Sequence, residues 1–101
     1  MDFTYHKLGR LKKNQKVEVT LEGNAANIFL MDEATFKRYQ QDKKRQGIGG
    51  LMKHSPVYMN VPHSGRWFLT VDFGGYNGKV KCNVKVYPVG VVPAKQVAQA
   101  G

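Results

Sequence analysis

One cysteine, four prolines and no long apolar run set the first limits on this chain of 101 residues. A single thiol, Cys82, closes no intramolecular disulfide, so the fold has to be held by its core. No window approaches the roughly 20 apolar residues of a membrane-spanning helix. The opening MDFTYHKLGR lacks the apolar segment of a secretory signal. The simplest compartment is the cytoplasm, and no membrane partner is expected. Acids are scarce, with seven Asp and Glu against sixteen Lys and Arg, for a net charge of +9. Catalysis by paired carboxylates needs two acids to meet in a cleft. Here Asp32 and Glu33 are placed to begin a helix, and Asp72 ends a strand. His6, His54 and His63 lie far apart with no helical H-x-x-x-H, whereas a metal site needs three or four converging ligands. Ser55 and Ser64 sit in turns without a surrounding G-x-S-x-G. No cofactor, no metal and no enzymatic activity are therefore expected, with a hydrolase as the alternative.

What the chain does have is alternation. In KVEVTLE, Val17, Val19 and Leu21 alternate with Lys16, Glu18, Thr20 and Glu22, the pattern of a half-buried strand. NIFLM is a short apolar run that suits a strand buried on both sides. PVYMNVP places Val57, Met59 and Val61 on one face, with prolines bounding the strand. RWFLTVDF puts Trp67, Leu69, Val71 and Phe73 on one face and Arg66, Phe68, Thr70 and Asp72 on the other. KVKCNVKVY turns Val80, Cys82, Val84 and Val86 inward and Lys79, Lys81, Asn83 and Lys85 outward. Asn77-Gly78 in FGGYNGKV predicts a hairpin between these last two strands, and an opening strand is predicted from Phe3 to Leu8.

One segment breaks this rhythm. Asp32 is a predicted N-cap with Glu33 in the first turn, and Phe36 and Tyr39 are spaced to dock one helical turn on a sheet. The fold class is thus mostly β. It is an antiparallel β-sandwich or a partly open barrel, Greek-key or jelly-roll-like, with one short helix around 33–40. A single domain over residues 1–87 is expected, followed by a flexible tail over 88–101.

Charge is unevenly spread. Residues 17–36 carry four acids and no base, while residues 37–53 carry six bases and one acid. Within the latter, QGIGGLMK resembles a phosphate-gripping loop at first glance. It lacks the Gly-Lys-Ser/Thr ending of a P-loop, and Met52 stands where a dinucleotide fingerprint needs its third glycine. It reads instead as an inter-strand loop. The basic residues beside it remain candidates for an anion: Lys43, Lys44, Arg45 and Lys53, with Lys37 and Arg38 on the helix flank. Arg66 shares a strand face with Phe68, which if exposed would mark a binding surface. Outward Tyr58 and Phe68 would interleave with Lys79, Lys81 and Lys85, as basic grooves with stacking aromatics do in proteins that bind single strands. These residues point to a non-catalytic module that binds a protein or an anionic partner through end loops. Nucleic-acid or nucleotide binding through residues 37–53 is the alternative.

VEVTLEGNAANIFLMDEATFKRY and GGLMKHSPVYMNVPHSGRWFLTVDFGG resemble a small bacterial family, the domain-of-unknown-function family eighteen-eighty-three, over roughly residues 3–87. The likeness lies in the Gly-Asn-Ala-Ala-Asn turn, in LMD before a short helix, and in P-x-S-G-x-W leading into a Val-Asp strand. The resemblance implies a compact β-sandwich-like domain, found alone or fused to TIR-type signalling domains. Such fusions imply a recognition or sensing module. The resemblance carries over no catalytic or binding residue.

Overall fold

The alternating segments resolve into two antiparallel sheets in a computed structural model that describes residues 3–42, 47–74 and 78–93. In chain order the elements are β1 (Phe3–Leu11), β2 (Lys16–Gly23), β3 (Ala26–Asp32), α1 (Glu33–Asp42), β4 (Ile48–Met52), β5 (Val57–Asn60), β6 (Gly65–Asp72) and β7 (Val80–Tyr87). A four-stranded sheet runs β1-β6-β3-β4, and a three-stranded sheet runs β5-β2-β7. Their apolar faces meet as a β-sandwich. Val17 and Val19 of β2, Ile28 and Leu30 of β3, Met59 of β5, and Trp67, Leu69 and Val71 of β6 form the buried interior. Each such side chain contributes about 1.5–3 kcal/mol by leaving water. The indole Nε1 of Trp67 donates to the carbonyl of His63 at 3.1 Å, so its one polar atom is satisfied. Val80, Cys82, Val84 and Val86 of β7 are half-buried against this core, as their phase required.

α1 covers the middle of the outer face of the four-stranded sheet, over β3 and β6. Thr35 N donates to Asp32 Oδ1 at 2.8 Å, which makes Asp32 the N-cap. Phe36 then stacks on Phe68 with ring centroids 4.2 Å apart, and Tyr39 meets Phe3 at 4.7 Å. At the far end of β6 the buried Asp72 carboxylate accepts from Tyr39 OH at 2.7 Å, Asn27 Nδ2 at 3.0 Å and Gly74 N at 2.9 Å. This bonding fastens the helix to the sheet. β3 is consequently buried on both sides, with Ile28 and Leu30 facing in and Met31 lying under the helix. No helix among the described residues is long and apolar enough to cross a membrane.

Three expectations need correction. FGGYNGKV does not join a hairpin pair. β6 is already flanked by β1 and β3 and has no free edge, so β7 crosses to the other sheet and pairs with β2. That pairing sets Val84 against Val19 and Val86 against Val17. The helix runs two residues further than expected, to Asp42. QGIGGLMK is not a loop, because Ile48–Met52 forms β4 and pairs with β3 from Leu30↔Ile48 to Ala26↔Met52. Its glycines serve that pairing. Gly49 has φ +141°, and a Cβ there would stand 2.0 Å from the carbonyl oxygen of Ile28. Of the expected tail, Val91 N donates to Pro88 O at 3.1 Å and Pro93 is buried, while residues 94–101 lie outside the described ones.

If close approach is the reason for that glycine, Gly49→Ala loses about 2 kcal/mol or more in urea unfolding. An unchanged midpoint would mean that β4 is not held against β3.

Candidate functional site

Chemistry-bearing side chains gather where β1 and β3 finish and where β2, α1 and β6 begin. A β-bulge prepares this end. β1 pairs with β6 in one register from Phe3↔Asp72 to Lys7↔Phe68, then shifts so that Gly9 faces Trp67, Arg10 faces Arg66 and Leu11 faces Gly65. Leu8 is the extra residue, and Gly9 adopts φ +78°, which glycine tolerates. Without the shift, Gly9 would lie opposite Arg66, Arg10 would point into the core and Leu11 would point out. With it, Leu11 is buried and Arg10 stands beside Arg66 on the helix side of the sheet.

Directly opposed side chains sit about 4.5–5.5 Å apart at Cβ, and like charges there are destabilising. Arg66 Nη1 lies 3.7 Å from Glu33 Oε2, an exposed pair of little energetic worth. Arg10 forms no ion pair among the described residues, and it is exposed. Lys12 and Lys13 extend the positive surface from the turn between β1 and β2. That turn is well fixed: Lys12 N donates to Gln15 Oε1 at 2.6 Å, and Lys13 N donates to Ser64 Oγ at 3.3 Å. Asn14 N donates to Val61 O at 2.8 Å, and Val61 N donates to Gln15 O at 2.9 Å. The basic turn is thereby pinned to the 61–64 loop.

His63 closes the same end. Its Nε2 lies 3.3 Å from Asp32 Oδ2, its Nδ1 lies 3.2 Å from Ser64 O, and its ring packs 4.9 Å from that of Trp67. Asp32 therefore caps the helix with one oxygen and holds the loop with the other. Burial pushes the Asp32 carboxyl up, but hydrogen bonds from Thr35 and the nearby His63 outweigh it and leave the group below the usual carboxylate range. Both ring nitrogens of His63 face acceptors and Ser64 Oγ takes Lys13 N, so this trio holds the loop in place and lacks the arrangement of a base with its nucleophile. Among the described residues no three His, Cys, Asp or Glu side chains gather as metal ligands. Burial pushes the Cys82 thiol up, away from reactivity.

The residues singled out from the sequence do not form one patch. Lys43, Lys44 and Arg45 lie outside the described residues. Lys53 follows Met52, the partner of Ala26 at the start of β3, whereas Arg66 precedes Trp67, the partner of Asp32 at its end. The length of β3, on the order of 20 Å, separates the two. Phe68 is corrected from a possible contact residue to a packing residue, since it is only 8% exposed beneath Phe36. Tyr58, Lys81 and Lys85 do share the open face of the three-stranded sheet, away from Phe68. The acids of β2 answer those lysines in register, Glu22↔Lys81 and Glu18↔Lys85. Tyr87 OH donates to Glu18 Oε1 at 3.1 Å, and burial followed by the Glu18 charge pushes the Tyr58 hydroxyl up. Arg10, Lys12 and Lys13 were missed. The signal was the glycine in the LGRL stretch, which marks a bulge inside an alternating strand.

Residues 1–89 match the family model described as Domain of unknown function (DUF1883). No curated protein and no solved structure matches the chain.

Asp32→Ala should cost about 1 kcal/mol near neutral pH, the loss of one helix cap. Because the folded carboxyl titrates below its unfolded value, that contribution is whole above the unfolded pKa of about 3.9 and disappears as pH falls through the folded one. Melting curves of the variant and its parent should therefore converge in acid, and a constant gap would contradict the capping role.

Proposed function

We propose that this chain, which belongs to the DUF1883 family, is a non-catalytic recognition module that engages an anionic partner through the loop end bearing Arg10, Lys12, Lys13 and Arg66. The observation that carries the reading is the bulge that sets Arg10 across from Arg66. Burying Leu11 accounts for the shift itself, but stability gains nothing from an arginine rather than a neutral side chain opposite Arg66. Two adjacent forks, of which only that of Arg66 has a carboxylate beside it, present a surface for carboxylate or phosphate groups, which arginine binds bidentately. The pinned turn and loop spare the backbone an ordering cost at binding. The placement of His63 beside Asp32 Oδ2 and the Ser64 carbonyl, and the inward thiol of Cys82, support a role without catalysis.

The test is affinity capture from the host lysate with and without nuclease, followed by a salt titration of the captured partner. Arg10→Ala/Arg66→Ala should lose at least about tenfold in affinity, with a shallower salt dependence and with melting unchanged or slightly raised. Capture that survives nuclease identifies an acidic protein, and capture lost to nuclease identifies a nucleic acid. If Lys37→Ala/Arg38→Ala/Lys53→Ala abolishes binding while the arginine variant keeps it, the basic 37–53 segment is the site and this reading fails.

A further inference from the structure

A sandwich of two open sheets has four edges, and here three of them are guarded. β1 carries the bulge together with exposed Lys7 and Arg10. β7 alternates Lys81 and Lys85 along its outward side. β5 is four residues long and follows Pro56. Bulges, lysines, short length and proline are the usual devices against edge-to-edge pairing. β4, Ile48–Met52, is five residues long but holds no bulge, lysine or proline: it is uncharged and paired with β3 alone among the described strands. Leu51 stands 57% exposed on its outer side, while Ile48 and Met52 are half-buried toward the core.

We propose that the β4 edge is an interaction surface for a second copy of this chain, joining two four-stranded sheets antiparallel about a two-fold axis at Gly50. The size pattern of the strand is complementary to itself in that register. Leu51 of one copy falls opposite Gly49 of the other on the outer face, where the glycine that β3 requires leaves room for it. On the inner face Ile48 falls opposite Met52 of the other copy, and both extend the apolar core. A foreign strand would need the same alternation of large and small residues, which β4 itself supplies. Five residues from each copy cover less than the roughly 1,200 Å² of a standard stable interface. Association is accordingly weak, and the net charge of +9 on each copy opposes it. Salt screens that repulsion, so self-association strengthens as ionic strength rises, the reverse of what an anionic ligand at the arginine end would show.

Sedimentation equilibrium across protein concentration, at low and high salt, tests the proposal together with Leu51→Lys, whose exposed site leaves the fold intact. The expected result is a concentration-dependent dimer favoured by salt, with Leu51→Lys weaker by at least about tenfold at unchanged melting temperature. Amide exchange within β4 should slow as the parent protein is concentrated. A monomer at about 1 mM in high salt overturns the proposal, as does a Leu51→Lys dimer as tight as the parent. A monomer whose β4 amides are protected only by an added acidic extended peptide would assign the edge to a different partner, and it too overturns the second-copy reading.

Discussion

A carboxylate with no solvent exposure holds the outer layer of this domain in place. Asp72 lies beneath α1 and accepts from Tyr39, Asn27 and Gly74. A buried acid without such donors would cost far more than the helix contributes. With them, the acid becomes a specific anchor. Tyr39 reaches it only when the helix lies across β6, and that placement sets Phe36 flat on Phe68. The helix then seals a face that would otherwise present Phe68, Thr70 and Asp72 to water. Covering the middle of this face and filling the other with core leaves the four-stranded sheet its ends and edges as places to work.

The functional account follows from that geometry. The loop end is held by Asp32, His63 and the backbone bonds between residues 12–15 and 61–64, so its arginines project from a firm base. The open face of the three-stranded sheet is less suited to an anion, because Glu18 and Glu22 answer the lysines of β7 across the strands. The two proposed surfaces respond oppositely to salt. One draws on unbalanced positive charge, and the other works against it.

Much of the fold was legible in the sequence because alternation is a local signal. Val17 and Val19, Leu69 and Val71, and Val84 and Val86 each announce their inward face without reference to a partner strand. The helix was equally readable from Asp32, Phe36 and Tyr39, a cap and a docking pair within one short segment. Partner choice was not legible. Asn77-Gly78 is a sound hairpin signal, but it says nothing about whether β6 has a free edge, and β1 and β3 occupy both of its edges. The glycines of β4 were misread for a related reason, since positive φ and close backbone approach produce the same composition as a mobile loop. The arginine pair depends on a one-residue phase shift at Leu8, which alternation alone smooths over. Whether Phe68 was exposed or covered was open from the sequence, and the answer rested on where the helix landed.

The central claim is that the Asp72 anchor, rather than general apolar contact, fixes α1 on the sheet. Residue-resolved hydrogen exchange on Tyr39→Phe tests it most directly, since the ring still packs on Phe3 and only the hydroxyl is lost. The account predicts that α1 amides exchange about tenfold faster or more, the effect of removing one donor from a buried carboxylate, while amides of β2 and β3 keep their protection. Helix exchange unchanged from the parent, or a loss shared equally by helix and core, would contradict it.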